Sequence, residues 1–208
     1  MSTQSDPATE GATTGTPSSL ALMNTADGWG LVHRLIHWAA AGVILFQLAM
    51  GLYMVNVVTD VYERFGHTQT HKSWGFVAFA LVLLRMVWRW MNPRPVPVPM
   101  ARWQHHASEG AHLALYALMV ALPVTGWLMS SASPLQDAYG IKNMVFGWFE
   151  LPDPFVPGSG DVEKVLKAVH FYAAMAMLAL IGIHAAAALK HQFVDRDGLL
   201  NRMVRGRG

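Results

Sequence analysis

Four apolar segments, each long enough to cross a bilayer, predict an all-α fold: an integral membrane four-helix bundle. Of the 208 residues, 53% are hydrophobic and 13% charged, about half the charged share of a soluble domain. The mean hydropathy of +0.28 is diluted by a polar N-terminal stretch. The apolar residues gather in runs of about twenty or more, the length a membrane helix needs. Absence of cysteine excludes disulfides, iron–sulfur clusters, thiolate-ligated haem and covalent c-type attachment. A net charge of +2 is too small to argue for nucleic acid.

Taken in order, residues 1–28 form a leader rich in Ser, Thr, Gly and Pro. It has neither the basic start nor the apolar centre of a signal peptide and is expected to be disordered. Residues 29–208 form the membrane domain. The first span covers about 30–57, with room to tilt. A polar link, Thr59 to Gln69, precedes the second span, about 71–91. Asn92 to Pro99 (NPRPVPVP) cannot continue a helix and is expected to be extended or turned. The third span, about 108–131, contains Pro123, which is expected to kink it. The connection from Ala132 to Asp161 carries an apolar patch, Met144 to Leu151, suited to the membrane interface. The fourth span, about 165–190, leads into a basic tail.

Four spans place both termini on one face. That face, with the link between spans two and three, holds ten basic residues: Arg34, Arg85, Arg89, Arg94, Arg102, Lys190, Arg196, Arg202, Arg205 and Arg207. The other holds five: Arg64, Lys72, Lys142, Lys164 and Lys167. The positive-inside rule then predicts cytoplasmic termini.

Span four carries His170 and His184, fourteen residues apart. Fourteen helical steps end roughly 40° short of four full turns and rise about 21 Å. Both imidazoles therefore share one face at different depths, across most of a bilayer core of about 30 Å. Histidine inside a membrane marks function unless it is paired or bound. By depth His37 matches His184 near the inner end, and His71 matches His170 near the outer end. Facing imidazoles from neighbouring helices suit a haem ligated on both sides. Nearby small residues, among them Gly42, Gly75 and Gly182, leave room for a flat macrocycle. Arg85 lies fourteen residues after His71, on its face and at the inner depth. There it can pair with a haem propionate, or simply snorkel to the interface.

A rival reading is metal. His33 with His37, and His67 with His71, are i,i+4 pairs that could share zinc. No carboxylate lies beside His33 or His37, and the two histidines of span four are left unexplained. His33, His67, His105, His106 and His191 read as interfacial or loop residues. His112 either lines a quinone pocket or bonds a backbone carbonyl.

The motifs RLIHW (Arg34 to Trp38), HKSWG (His71 to Gly75) with Arg85 beyond, ALPVTGW (Ala121 to Trp127), GIHAAAALKHQF (Gly182 to Phe193) and LLNRM ending at Met203 resemble the bacterial four-helix di-haem cytochrome b-561 family. That family includes the superoxide oxidase, and the cytochrome b subunits of nickel–iron hydrogenases are more distantly similar. The resemblance spans about residues 29–204. It implies two haem b groups, axial ligands at His37, His71, His170 and His184, and haem contact at Arg85. In the family a second histidine stands one turn before the position of His112, where this chain has Glu109.

An iron ligated by two histidines has no open site, which leaves electron transfer as the activity. The resemblance implies oxidation of superoxide at the periplasmic face and reduction of ubiquinone in the membrane. A basic patch attracts a small anion. Lys72 beside His71, and Lys164 and Lys167 before His170, stand where such a funnel would form; a solvated helix end explains them equally well. A second reading is a membrane anchor and electron conduit for a partner dehydrogenase or hydrogenase. A third, a histidine-based metal or proton transporter, would show no b-haem spectrum.

Overall fold

The computed structural model describes residues 21–155 and 157–206. The leader through residue 20, Val156 and Arg207 lie outside the described residues. Four long helices are apolar and long enough to span a membrane: α1 (Leu31–Asn56), α2 (Val61–Met91), α3 (Arg102–Ser131) and α5 (Gly160–Lys190). A short helix α4 (Pro134–Tyr139) and a two-stranded hairpin, β1 (Met144–Val145) and β2 (Phe149–Glu150), lie between α3 and α5. A π-helical turn, His191–Asp195, extends α5, and α6 (Leu199–Val204) is the last element among the described residues. The chain is an integral membrane helical bundle.

Little of each apolar stretch is buried within the chain. Trp90, Leu113, Tyr172 and Ile183 all face outward, where lipid can cover them. Inside, Ile36, Ala40, Leu48, Ala78, Val82 and Met177 are buried. The helices pack as two hairpins, α1 on α2 and α3 on α5, joined by contacts between α2 and α3.

Helix starts depart from the sequence expectation. The supposed link before span two is mostly helix: Asp60 Oδ1 accepts from the Glu63 backbone N–H at 2.8 Å, an N-cap that starts α2 at Val61. A helix of 31 residues is about 46 Å long. Its charged first turns therefore project beyond the hydrocarbon, where Glu63, Arg64 and His67 can remain solvated. Similarly, α3 starts at Arg102, with the Ala101 N–H donating to Gln104 Oε1 at 3.1 Å, and runs on through Pro123. Helix α5 starts at Gly160, with Asp161 and Glu163 in its first turn favoured by the helix dipole.

The inner end is closed by three segments. The stretch after Asn92 is extended, as its prolines require. The Asn24 amide donates to Pro93 O at 2.9 Å, and Asn24 Oδ1 accepts from Gly30 N–H at 3.0 Å. The last residues of the expected leader are thus folded against this link. Arg34 Nη1 donates to Val204 O at 2.8 Å, and the Trp38 indole donates to Met203 O at 3.3 Å. Both bonds tie α6 to the start of α1, so the described ends of the chain share one face of the bundle.

At the other end, residues 132–155 and 157–159 fold into a cap. Asn143 is buried at its centre. Its Oδ1 accepts from Ser130 Oγ at 2.7 Å and Gln136 Nε2 at 3.1 Å, and its amide donates to Asp153. The hairpin turns through Phe146 and Gly147, with φ of 49° and 73°. Phe146 N–H donates to Ser73 Oγ at 2.9 Å, and the Phe146 ring meets Trp74 edge-on. Trp148 and Phe149 point outward.

Candidate functional site

Both expected histidine pairs straddle the two hairpins: α1 and α2 supply His37 and His71, and α5 supplies His170 and His184. At the outer end, the His71 and His170 ring centroids are 6.3 Å apart with planes at 82°. Gly126 leaves room for the His170 ring, while a Cβ at Gly51 would sit at ordinary contact distance from His71. A Cβ on Gly126 would meet His170 Cε1 at 3.2 Å, and one on Gly51 would meet His71 Cε1 at 3.6 Å.

Thr125 orients His170. Its hydroxyl has one proton, and Ala121 O at 2.7 Å or Leu122 O at 3.1 Å accepts it. The remaining contact, Thr125 Oγ1 to His170 Nδ1 at 3.0 Å, therefore uses a hydroxyl lone pair. Nδ1 must be the donor, which leaves a lone pair on Nε2. His71 is held through its backbone, where Gln47 Nε2 donates to His71 O at 2.8 Å. Its own Nδ1 is buried without a hydrogen-bond partner.

At the inner end, Arg85 Nη1 lies 2.5 Å from His37 Nδ1, and Arg85 Nε donates to the Tyr116 hydroxyl at 2.9 Å. His37 is within electrostatic range of His184. His112 meets His184 edge-on at 5.5 Å between centroids, and Ser108 Oγ lies 3.4 Å from His112 Nδ1. His112 thus stands beside the inner pair. Glu109 instead faces outward with His105 and His106, at 3.5 and 4.0 Å.

Other expected residues are placed as follows. His33 is buried and stacks on Trp29 at 4.1 Å. His67 pairs with Glu63 at 3.5 Å. The possible metal-holding clusters among the described residues are His105–His106–Glu109 and His191–Asp195–Asp197, neither of them an expected i,i+4 histidine pair. Lys164 and Lys167 are exposed near the start of α5. Lys72 is half-buried with Asp153 as an opposing charge, so its charge is partly met within the protein. Lys142 at the cap pairs with Glu150 at 2.6 Å, and that carboxylate raises the lysine above its ordinary range.

Sequence reading missed Thr125, Tyr116 and the His191–Asp197 contact of 2.5 Å. Only Thr125 had a local signal, following the helix proline in ALPVTGW.

Comparison with known proteins places this architecture. The family model described as prokaryotic cytochrome b561 matches residues 28–206. Cytochrome b561 homolog 2 of Escherichia coli (strain K12) is 31% identical over 188 residues, which cover 89% of this chain and 95% of the relative. The probable superoxide oxidase CybB of Yersinia pestis is 31% identical over 137 residues, 64% of this chain and 72% of that protein. Cytochrome b562 of Cereibacter sphaeroides is 26% identical over 190 residues, 89% of this chain and all of that protein. With four membrane-capable helices and a match over nearly all of its membrane domain, the chain belongs to the prokaryotic cytochrome b561 family of haem b electron-transfer membrane proteins.

Proposed function

We propose that the chain carries electrons between two haem b groups, from superoxide at the periplasmic face to ubiquinone in the membrane. In this reading His71 with His170, and His37 with His184, would hold the two haems. The observation that carries it is the outer pair, with ring centroids 6.3 Å apart. At that spacing the two rings stand edge-on, near the outer end of the range for ring contact. The spacing suits one iron with an imidazole nitrogen on each side, given metal–imidazole bonds of about 2 Å. The tautomer fixed by Thr125 presents Nε2 of His170 as the ligating atom, as outer-shell partners commonly do at metal sites.

Haem b, when bound, supplies one-electron redox chemistry at an iron without an open coordination site. The chain's residues do the rest. The four imidazoles fix two depths about 21 Å apart along α5. Arg85 serves the inner pair. An arginine only donates, so its contact with His37 takes the Nδ1 lone pair and leaves the proton on Nε2. His37 can offer Nε2 once Arg85 turns to another acceptor, and a propionate is suitable. Exposed Lys164 and Lys167, with the half-buried Lys72 beside His71, give the outer end positive charge to attract superoxide. In the proposed balance, two superoxide anions each give up one electron and leave as dioxygen. The two electrons, with two protons, convert one ubiquinone to ubiquinol. The positive-inside bias supports a cytoplasmic side for the termini, and with them for the inner pair.

The test is anaerobic. Superoxide is added to purified protein in lipid nanodiscs with and without ubiquinone, while haem reduction and quinol formation are followed. Superoxide-dependent quinol formation is expected, slower at high salt and in a variant with Lys164→Gln and Lys167→Gln. Haem that superoxide does not reduce overturns the substrate assignment. If a stoichiometric dehydrogenase then co-purifies and reduces the haem, the conduit reading replaces it.

A further inference from the structure

Arg85 and Arg89 are one turn apart on α2, in the inner half of a membrane-spanning bundle, and both are half-buried. Like charges at i,i+4 repel, and a guanidinium within a membrane protein needs an anion. Among the described residues, no carboxylate forms an ion pair with either. Among the described residues, His33, His37, His112 and His184 lie within electrostatic range of one or both, and an imidazole side chain supplies no negative charge.

The protein brings both to one tyrosine instead. The Tyr116 ring centroid is 5.6 Å from the Arg85 guanidinium carbon and 5.5 Å from that of Arg89. The Tyr116 hydroxyl accepts from Arg85 Nε at 2.9 Å. An aromatic ring attracts cations through its quadrupole without neutralising them. Tyr116 therefore orders two cations side by side while both keep their charge, and Arg85 reaches the inner histidine pair through His37.

We propose that Tyr116 is a positioning residue that holds Arg85 and Arg89 as a paired clamp for a dicarboxylate, the two propionates of the inner haem. The inference rests on the two-haem reading and adds Tyr116 and Arg89 to it. A clamp of two retained positive charges favours the reduced form of the group it holds, because that form carries one more negative charge.

The test is a spectroelectrochemical titration of the purified holoprotein in nanodiscs, with the haem-to-protein ratio measured on each sample. Arg89→Gln should lower the midpoint potential of one haem and leave the other unmoved, with Arg89→Lys restoring much of the loss. Tyr116→Phe keeps the ring but loses the hydroxyl, and should give a smaller shift of the same haem in the same direction. Tyr116→Leu should approach the Arg89→Gln shift. In an Arg85→Gln background, Tyr116→Phe should add nothing, since the hydroxyl acts through Arg85. Two haems with unmoved potentials in Arg89→Gln and Tyr116→Phe overturn the clamp alone, as do equal shifts of both haems. A wild-type protein without two haems overturns the reading beneath it as well. If Tyr116→Leu loses haem, Tyr116→Phe at full occupancy decides.

Discussion

The outer and inner histidine pairs each take one imidazole from α5 and the other from α2 or α1 respectively, but their surroundings differ. Around His71 and His170 stand the neutral Gly51, Gly126 and Thr125 hydroxyl, with Lys72 next to His71 opposed by Asp153, beneath a folded cap. Around His37 and His184 stand His112 and the Arg85 guanidinium, with Arg89 one turn beyond. Positive charge beside a redox centre favours its reduced form, and haem potentials respond to such surroundings. On the two-haem reading, the inner station is therefore the stronger electron acceptor. The contrast gives the relay a direction, inward from the capped end.

Removing one ligand from each pair is the largest perturbation of this contrast. His170→Ala should lose the haem of lower potential and keep the other, about half of the b-type absorbance, and His184→Ala should do the converse. Redox titration of the two variants separates the stations. If both variants retain the same haem, the pairing by depth is wrong.

Thr125→Val should have the next largest effect, confined to the outer station. Without the hydroxyl, Nδ1 of His170 loses a partner that sets the tautomer. Outer-shell changes of this kind cost about 10–100-fold in metal-site affinity. Haem loss to excess apomyoglobin should be faster from the outer station only, and Thr125→Ser should restore retention. Equal acceleration at both stations would argue for general loosening of the bundle.

The difference between the ends also explains what was legible in the sequence. The approach of His71 to His170 follows from helical periodicity and depth along a span, both of which the chain carries locally. Thr125 and Tyr116 matter through partners on other helices, 45 and 31 residues away. Their roles depend on how each helix is rotated, which an apolar span facing lipid on most sides does not encode. The start of α2 was misplaced because Glu63, Arg64 and His67 look like a link to any reading based on hydropathy. The Asp60 cap and water beyond the hydrocarbon let helix continue there. The fold of the cap was hidden for another reason. A Pro-, Gly- and Asp-rich connection looks irregular until Ser130, Gln136, Asn143 and Asp153 meet.

That polar cluster gives a test of the outer cap. Asn143→Ala should leave Ser130 without its acceptor and Asp153 without its amide donor, with Gln136 Nε2 keeping Ser130 Oγ. The cost is about 1–3 kcal/mol for buried polar groups deprived of partners. Faster hydrogen exchange and proteolysis within 132–159 are expected, with inner-end protection unchanged. If protection falls equally at the inner end, the cap is not a separate unit.

The smallest expected effect is at the inner end, where Asp197 ties the π-helical turn to α6. Its carboxylate receives the Leu199 N–H at 3.0 Å and pairs with His191 at 2.5 Å. Burial alone would raise its pKa, but the Leu199 hydrogen bond and the His191 contact outweigh it and hold the group below the usual carboxylate range. A lowered folded-state pKa contributes stability above the unfolded value of about 3.9, lost as pH falls through the folded value. The wild-type protein should therefore lose more melting temperature than Asp197→Asn when acidified below about pH 4. The difference should be small, because the pair is partly solvated and screened. Equal acid slopes would mean that Asp197 is no more ionised in the folded protein than in the unfolded chain. The inner closure would then depend on the backbone bonds from Arg34 and Trp38 to α6.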